Sequence, residues 1–457
     1  VVDPYAAFLS EKRRVVQPVG FDGSDLHPHL FPFQRDIVAW ALRHGRAAIF
    51  AGTGLGKTVM QVEWARHIAD HTGEPVLILA PLAVGQQTVG EARTLDVDAT
   101  FVREPEQVGS RGIFITNYER FERFDQSVFG GIVLDESSIL KAHDGKTRTA
   151  LIESWAETRF RLACTATPAP NDFMELANHA EFLGVMSRAE MLATFFVHDG
   201  GETQKWRLKG HAETDFWKWM ASWCVMLRSP ADLGYIDDRY TLPPLRMHEH
   251  VIESTSTDTG TLFALEAQTL QERRGARRAS IEKRVSLAAS LEAKHPDEPW
   301  IFWCDLNDES DALTKAIPGA VEVRGSQDAD DKEARLVAFS AGTTHALVTK
   351  PSIAGFGMNW QHCANVVFVG LSDSWEAFYQ AVRRCYRFGQ TRPVDVHIIT
   401  SSAESAVLAN IRRKERDADR MVAAMVEQVQ LYSDVRASNA HESEGRAIPM
   451  EVPVWLT

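Results

Sequence analysis

No apolar run in the 457 residues reaches the length of a membrane span, which takes about 20 consecutive apolar residues. The first residues, VVDPYAAFLSEKRR, lack the basic-then-apolar order of a secretion signal. Both absences lead us to expect a cytoplasmic protein with no membrane partner. Cysteine is scarce. Cys164, Cys224, Cys304, Cys363 and Cys385 are scattered and form no CxxC pair, which excludes a zinc ribbon or a disulfide framework and suits reduced thiols. Basic charge is also short: 49 Lys and Arg stand against 62 Asp and Glu, a net charge of −13. That balance excludes a non-specific basic coat for nucleic acid. A local basic groove stays open, because the field at a site depends on how charge is distributed.

What is present is organised around AIFAGTGLGKTVMQVEWA, Ala48 to Ala65. A short apolar run enters a glycine-broken turn, then Lys57 and Thr58, then an apolar-periodic helix through Val59, Val62 and Trp64. Strand, loop and helix in this order form a phosphate-binding loop. Glycines at 52, 54 and 56 let successive N–H groups curl toward phosphate oxygens, and the helix N-terminus adds its dipole. Thr53, Gly54 and Gly56 line the loop, Lys57 reaches the β- and γ-phosphates, and the Thr58 hydroxyl holds Mg²⁺. The ligand expected is therefore ATP with Mg²⁺. Ala51 stands where the usual pattern begins with glycine.

Along the chain, residues 1–29 form a lead-in. The α/β unit 30–184 has buried-strand runs VLILAP, IFIT, GIVLDES and RLACTATP separated by helical stretches, the texture of a parallel sheet covered on both faces. In such sheets ligands lie at the carboxyl ends of the strands, where GKT, DES and TATP fall. Residues 185–245 are rich in aromatics and lack strand rhythm; they read as a helical insertion, with Phe216, Trp219, Met220 and Trp223 at helix-packing spacing. A second α/β unit, 246–403, carries WIFWC, AVEV, ALVT, VVFVG and VHIIT. It opens near the most basic run, QERRGARRASIEKR, which reads as a solvated helix face with a phosphate contact as the alternative. A bracing helix across the second unit covers 404–440, and a tail covers 441–457. The start at Val1 and the loop-like tail suggest a piece of something larger.

Asp135 and Glu136 in LDES sit at a strand end downstream of the phosphate loop. There one carboxylate can order Mg²⁺ through water while the other polarises the attacking water. QAVRRCYRFGQ places Arg384 and Arg387 three apart on one helical face, suited to offsetting charge on a transferred phosphoryl group. KPSIAGFGMNW, with Gly355 and Gly357, lets backbone approach a ligand closely.

In this order the motifs resemble the Swi/Snf-type ATPases of helicase superfamily two, from about Leu30 to Val422. FPFQ resembles the family's glutamine motif, AGTGLGKT motif I, LAPLAV motif Ia, ITNYE motif Ib and LDESSILK motif II. TATPAPND resembles motif III, WIFWCD motif IV, GFGMNW motif V and QAVRRCYRFGQ motif VI. The last discriminates most, since the HRxGRxGR pattern of DEAD-box RNA helicases is absent. Ser138 replaces a histidine found in many relatives, and Ala166 replaces a glycine. The resemblance implies two RecA-like parallel-sheet lobes with a helical insertion, in a prokaryotic or phage-encoded protein. It implies that Gln34 reads adenine, that Gly357 and Gln380 join the nucleotide site, and that duplex DNA meets the strand ends near Pro81, Thr116, Thr165 and Thr349. The activity implied is DNA-dependent ATP hydrolysis driving translocation or remodelling, with a nuclease, a methyltransferase or another DNA-processing protein as partner. An unwinding helicase on single strands, with a wedge between Trp206 and Trp223, is one alternative. A DNA clamp or recruitment subunit without turnover is another, and an RNA-directed ATPase a third.

Overall fold

The computed structural model describes residues 18–81, 84–141, 145–169, 173–198, 206–252, 270–354, 358–372, 374–402, 405–432 and 435. Two compact units divide the chain, one Val1–Ile236 with Ala418–Thr457 and the other Asp237–Asp417.

In the first unit the strands are β1 (Arg46–Ala51), β2 (Pro75–Ala80), β3 (Ala99–Phe101), β4 (Gly112–Asn117), β5 (Gly131–Asp135), β6 (Phe160–Thr165), the hairpin β7 (Phe196–His198) and β8 (Trp206–Leu208), and β9 (Cys224–Leu227). Seven of them form one sheet in the order β3-β4-β2-β5-β6-β1-β9, with every pairing parallel. The central strands are buried along their whole length, as a parallel sheet with helices on both faces requires. The first helix, α1 (Pro32–His44), starts on a proline, whose fixed φ suits the first turn. The next, α2 (Lys57–Thr72), is buried at Met60, Val62, Trp64 and Ile68 between the sheet and its neighbours. The lead-in from Val19 onward joins this unit: Phe21 N–H donates to Leu42 O at 3.0 Å, and the Phe21 ring stacks on His71 at 3.8 Å.

The stretch 185–245 holds the helices Arg188–Phe195 and Glu213–Ala221, with Phe216, Trp219 and Met220 buried on the second as expected, but it is not wholly helical. It supplies the hairpin β7–β8 and, through β9, the edge strand beside β1. CVML is only four residues long and follows an aromatic helix, so its strand character is hidden in the pattern; what makes it a strand is the open edge of β1. The aromatics pack on one another, Phe195 on Phe216 at 5.3 Å and Trp219 on Trp223 at 5.4 Å.

In the second unit β10 (Leu245–Ile252), β11 (Trp300–Trp303), β12 (Val321–Glu322), β13 (Ala346–Thr349), β14 (Asn365–Phe368) and β15 (Val394–Ser401) form a parallel sheet in the order β10-β15-β14-β11-β13-β12. Its core gathers Trp300, Phe302, Val348 and Val367 with Val285 and Leu291 of the helix Leu270–Glu292. The molecule is thus an α/β protein with two parallel sheets. The basic run is not simply a solvated face: Arg284 is fully buried and ion-paired with Glu309 at 2.7 Å. The long helix Ser405–Tyr432 belongs to the first unit from Ala418 onward, where Arg420 pairs with Glu213, rather than bracing the second unit alone. Among the described residues no helix is long and apolar enough to cross a membrane.

Candidate active site

Register places the chemistry. Ile49 of β1 and Asp135 of β5 both lie level with Cys164 of β6, so Asp135 stands two strand spacings, roughly 10 Å, from the strand that feeds the glycine loop. That loop leaves β1 at Gly52, whose N–H donates to Leu227 O at 2.9 Å. A Cβ at Gly52 would lie 3.0 Å from Arg228 O. The edge strand β9 therefore buttresses the loop from outside, a contribution that the aromatic texture of 185–245 conceals.

Two loop glycines are required by their backbone. Gly54 and Gly56 have φ of 88° and 77°, the left-handed region that side chains disfavour. A Cβ on Gly56 would also meet Gln34 Nε2 at 2.3 Å. Gln34 is buried, donates from Nε2 to Leu55 O at 2.9 Å, and accepts the Phe31 N–H at 2.9 Å. Gln34 therefore ties α1 to the loop. Lys57 Nζ folds back onto the loop carbonyls, donating to Ala51 O at 2.9 Å and Gly52 O at 3.4 Å. Thr53 Oγ1 is buried without a hydrogen-bond partner. Thr58 is the second residue of α2 and half-buried. An ammonium resting on carbonyls, a buried orphan hydroxyl and a curled backbone opening a helix are the donor set of a phosphate cradle. The residues fit a nucleoside triphosphate.

Asp135 ends β5 deep in the unit. Burial raises the pKa of its carboxyl, while a hydrogen bond from Gln61 and the Lys57 charge oppose the rise. Gln61 Nε2 donates to Asp135 Oδ1 at 2.8 Å, and Tyr118 Oη donates to Asp135 O at 2.7 Å. Glu136 follows with φ of 55°, uncommon for a residue with a side chain. Its Oε2 accepts the Thr165 hydroxyl at 3.1 Å. A carboxylate and a threonine hydroxyl are hard oxygen ligands of the type Mg²⁺ takes, and Gln61 links Asp135 to the helix that carries Thr58, so the chemistry of Thr58 and Asp135 fits the metal that accompanies a triphosphate. Sequence reasoning missed Gln61 and Tyr118. Gln61 carried a signal, a polar residue on an otherwise apolar face of the loop helix.

The hydroxyls expected at a nucleic-acid track have other partners. Thr116 is fully buried and donates to Val102 O at 2.8 Å, and Thr349 is fully buried and donates to Val323 O at 3.0 Å. Thr165 is spent on Glu136. These three side chains pin strand ends instead of facing a polymer, because at a buried strand terminus the nearest acceptor is protein. Pro81 follows β2 directly and is half-buried.

In the second unit the helix Trp375–Val382 ends before both arginines. Arg384 and Arg387 therefore do not share a helical face. They lie in turns closed by Cys385 N–H to Val382 O and Gln390 N–H to Arg387 O. Arg384 is buried, donating from Nη2 to Gln380 Oε1 at 3.0 Å and from Nη1 to Met358 O at 3.2 Å. Arg387 is half-buried. Gln380 is buried with its Nε2 lacking a hydrogen-bond partner. Gly355 and Gly357 lie outside the described residues. Among the described residues no cluster of three or more His, Cys, Asp and Glu could hold a metal by itself.

No family model matches the chain, and no curated protein matches it. Among solved structures, the Sulfolobus solfataricus SWI2/SNF2 ATPase core in complex with dsDNA is similar over 92% of this chain and 97% of that one, at 16% identity and a TM-score of 0.41.

Proposed function

We propose that the chain is an ATP-driven motor that hydrolyses ATP to move along DNA, with duplex DNA favoured as the track. The observation that carries the ATPase reading is the placement of Lys57, Asp135 and Glu136 at the carboxyl end of one parallel sheet, with the Lys57 charge acting on Asp135 and Gln61 bridging from the loop helix to it. The DNA track rests on the order of sequence motifs, above all QAVRRCYRFGQ.

In this reading the loop backbone and Lys57 hold the phosphates, Lys57 moving from Ala51 O and Gly52 O to phosphate oxygen. Thr58 and Asp135 would hold Mg²⁺, which when bound supplies positive charge at the phosphate oxygens. The Glu136 carboxylate, kept in place by the Thr165 hydroxyl, orients the attacking water and takes its proton. Arg384 or Arg387 offsets charge on the transferred phosphoryl group, an effect worth roughly 10³–10⁵ in rate in phosphoryl-transfer enzymes. Burial commits Arg384 to Met358 and Gln380, whereas Arg387 is half-buried; Arg387 is the residue tested for this role. Polymer contacts near Pro81 and the other strand ends come from neighbouring backbone and side chains, with the three threonine hydroxyls acting as structural pins. Trp217, Trp219 and Trp223 are packed inside their unit and make poor wedges, which favours translocation over strand separation.

The test is steady-state ATP hydrolysis with blunt duplex DNA, single-stranded DNA and RNA in parallel, with Lys57→Ala as the blank. Stimulation by blunt duplex supports the proposal. Stimulation by single strands alone selects an unwinding helicase, and no turnover with any polymer despite ATP binding selects a clamp or recruitment subunit.

A further inference from the structure

The left-handed backbone at Glu136 needs a cause. A strained non-glycine residue persists only where its surroundings over-determine it. On its N-terminal side Tyr118 and Gln61 fix Asp135. On its C-terminal side the chain runs into the 3-10 turn Ser137–Lys141, whose Ile139 N–H donates to Glu136 O at 3.3 Å. That turn is clasped by two adjacent side chains of the helix Leu176–Leu183. Asn178 Nδ2 donates to Leu140 O at 2.7 Å, and His179 Nε2 lies 3.1 Å from Ser137 Oγ. His179 is fully buried, with its ring edge-on to Phe50 of β1 at 5.2 Å. Its Nδ1 faces Glu175 O at 3.4 Å. A carbonyl only accepts, so Nδ1 carries the proton and Nε2 accepts from the Ser137 hydroxyl; the tautomer is assigned from this network.

We propose that His179, through its hydrogen bond with Ser137, is a positioning residue that holds the Glu136 carboxylate in its water-orienting geometry. The proposal rests on the ATPase reading and adds a residue to it. Ser137 has two backbone dihedrals between it and the strained residue, so releasing its hydroxyl lets Glu136 relax toward ordinary φ and swings the carboxylate away from the reacting water. The ring also packs against the strand that feeds the glycine loop. One side chain thus ties that strand to the acidic turn.

Three variants test this: His179→Phe keeps the ring without nitrogen, His179→Gln keeps an acceptor, and Ser137→Ala removes the donor. Expected for His179→Phe and Ser137→Ala is a kcat lowered about tenfold, the scale of one lost hydrogen bond, with KM for ATP and the affinity for a fluorescent ATP analogue unchanged. The double variant should be no worse than either single one, and His179→Gln should recover most of the rate. Amide exchange at Glu136 to Ile139, followed by mass spectrometry, should rise in His179→Phe and Ser137→Ala at unchanged global stability. An unchanged kcat in both, or a loss in kcat matched by a loss of nucleotide affinity, overturns the proposal. If wild type binds ATP but does not turn it over, the ATPase reading fails, and the exchange data still decide whether the clasp orders the turn: unchanged exchange overturns it.

Discussion

Glu136 and Gln have the same size, so Glu136→Gln separates the carboxylate's chemistry from its place in the turn. The amide oxygen still accepts the Thr165 hydroxyl, which now approaches at 3.1 Å, but it cannot take a proton from water. Loss of a general base of this kind costs roughly 10²–10⁴ in rate, so the expected outcome is a fall of that order in kcat with binding of the ATP analogue retained. Equal losses in both would place Glu136 in binding rather than in the chemical step. The residue scale also carries a pH prediction. Burial lowers the pKa of His179 to about 4 from an ordinary value of 6.5, so the folded chain binds fewer protons here than the unfolded chain. The stability from keeping His179 neutral is fully present above about pH 6.5 and is lost as pH falls toward 4. At pH 5 the loss is roughly 2 kcal/mol. Wild type should therefore lose more stability between pH 7 and pH 5 than His179→Gln does, as read by chemical denaturation at the two pH values.

At the scale of elements, the strand, glycine turn and helix around Gly52 to Thr58 and the strand end at Asp135 were legible because they follow local patterns: glycines where the backbone must curl, carboxylates behind an apolar strand. Elements shaped by distant partners were not. β9 is a strand because β1 has an open edge, and nothing within CVML says so. Arg284 looked like part of a solvated run because charge is read as surface. Yet Val285, Ala288 and Leu291, all buried, continue its stripe along the helix. Glu309 supplies the missing half, accepting from Arg284 while its other oxygen accepts the Asp305 and Leu306 N–H groups at 2.8 and 2.9 Å. Gly370 completes the fit, since a Cβ there would lie 2.4 Å from Glu309 Oε2. Arg284 also donates to Val369 O just past β14, so the pair joins the helices Leu270–Glu292 and Asn307–Ala316 to the end of that strand. Arg284→Met should leave a buried unpaired carboxylate and cost about 3–5 kcal/mol. The double variant Arg284→Met/Glu309→Gln should lose clearly less than the sum of the two single variants. Additive losses in denaturant melts would show that the two side chains act separately.

On the scale of the whole molecule the proposed track and the net charge oppose each other. A chain of −13 is repelled by a polyanion at long range, so binding must come from local cationic contacts that release counterions from the polymer. Affinity resting on 6–10 phosphate contacts falls by roughly 10³–10⁵ between 50 and 200 mM salt, whereas long-range repulsion is screened over the same range and works the other way. The expected outcome is that the duplex concentration giving half-maximal ATPase stimulation rises steeply with salt, while kcat at saturating duplex changes little. In the proposed mechanism the phosphoryl step responds to a different group. Arg387 is carried by the second unit and the phosphate loop by the first, so Arg387→Ala should leave the affinity for the ATP analogue intact, leave the salt slope intact, and lower kcat by roughly 10³–10⁵. A variant with a shallower slope and normal kcat would instead make Arg387 a contact of the track. The two readouts thus assign this arginine either to the hydrolysis step or to the polymer.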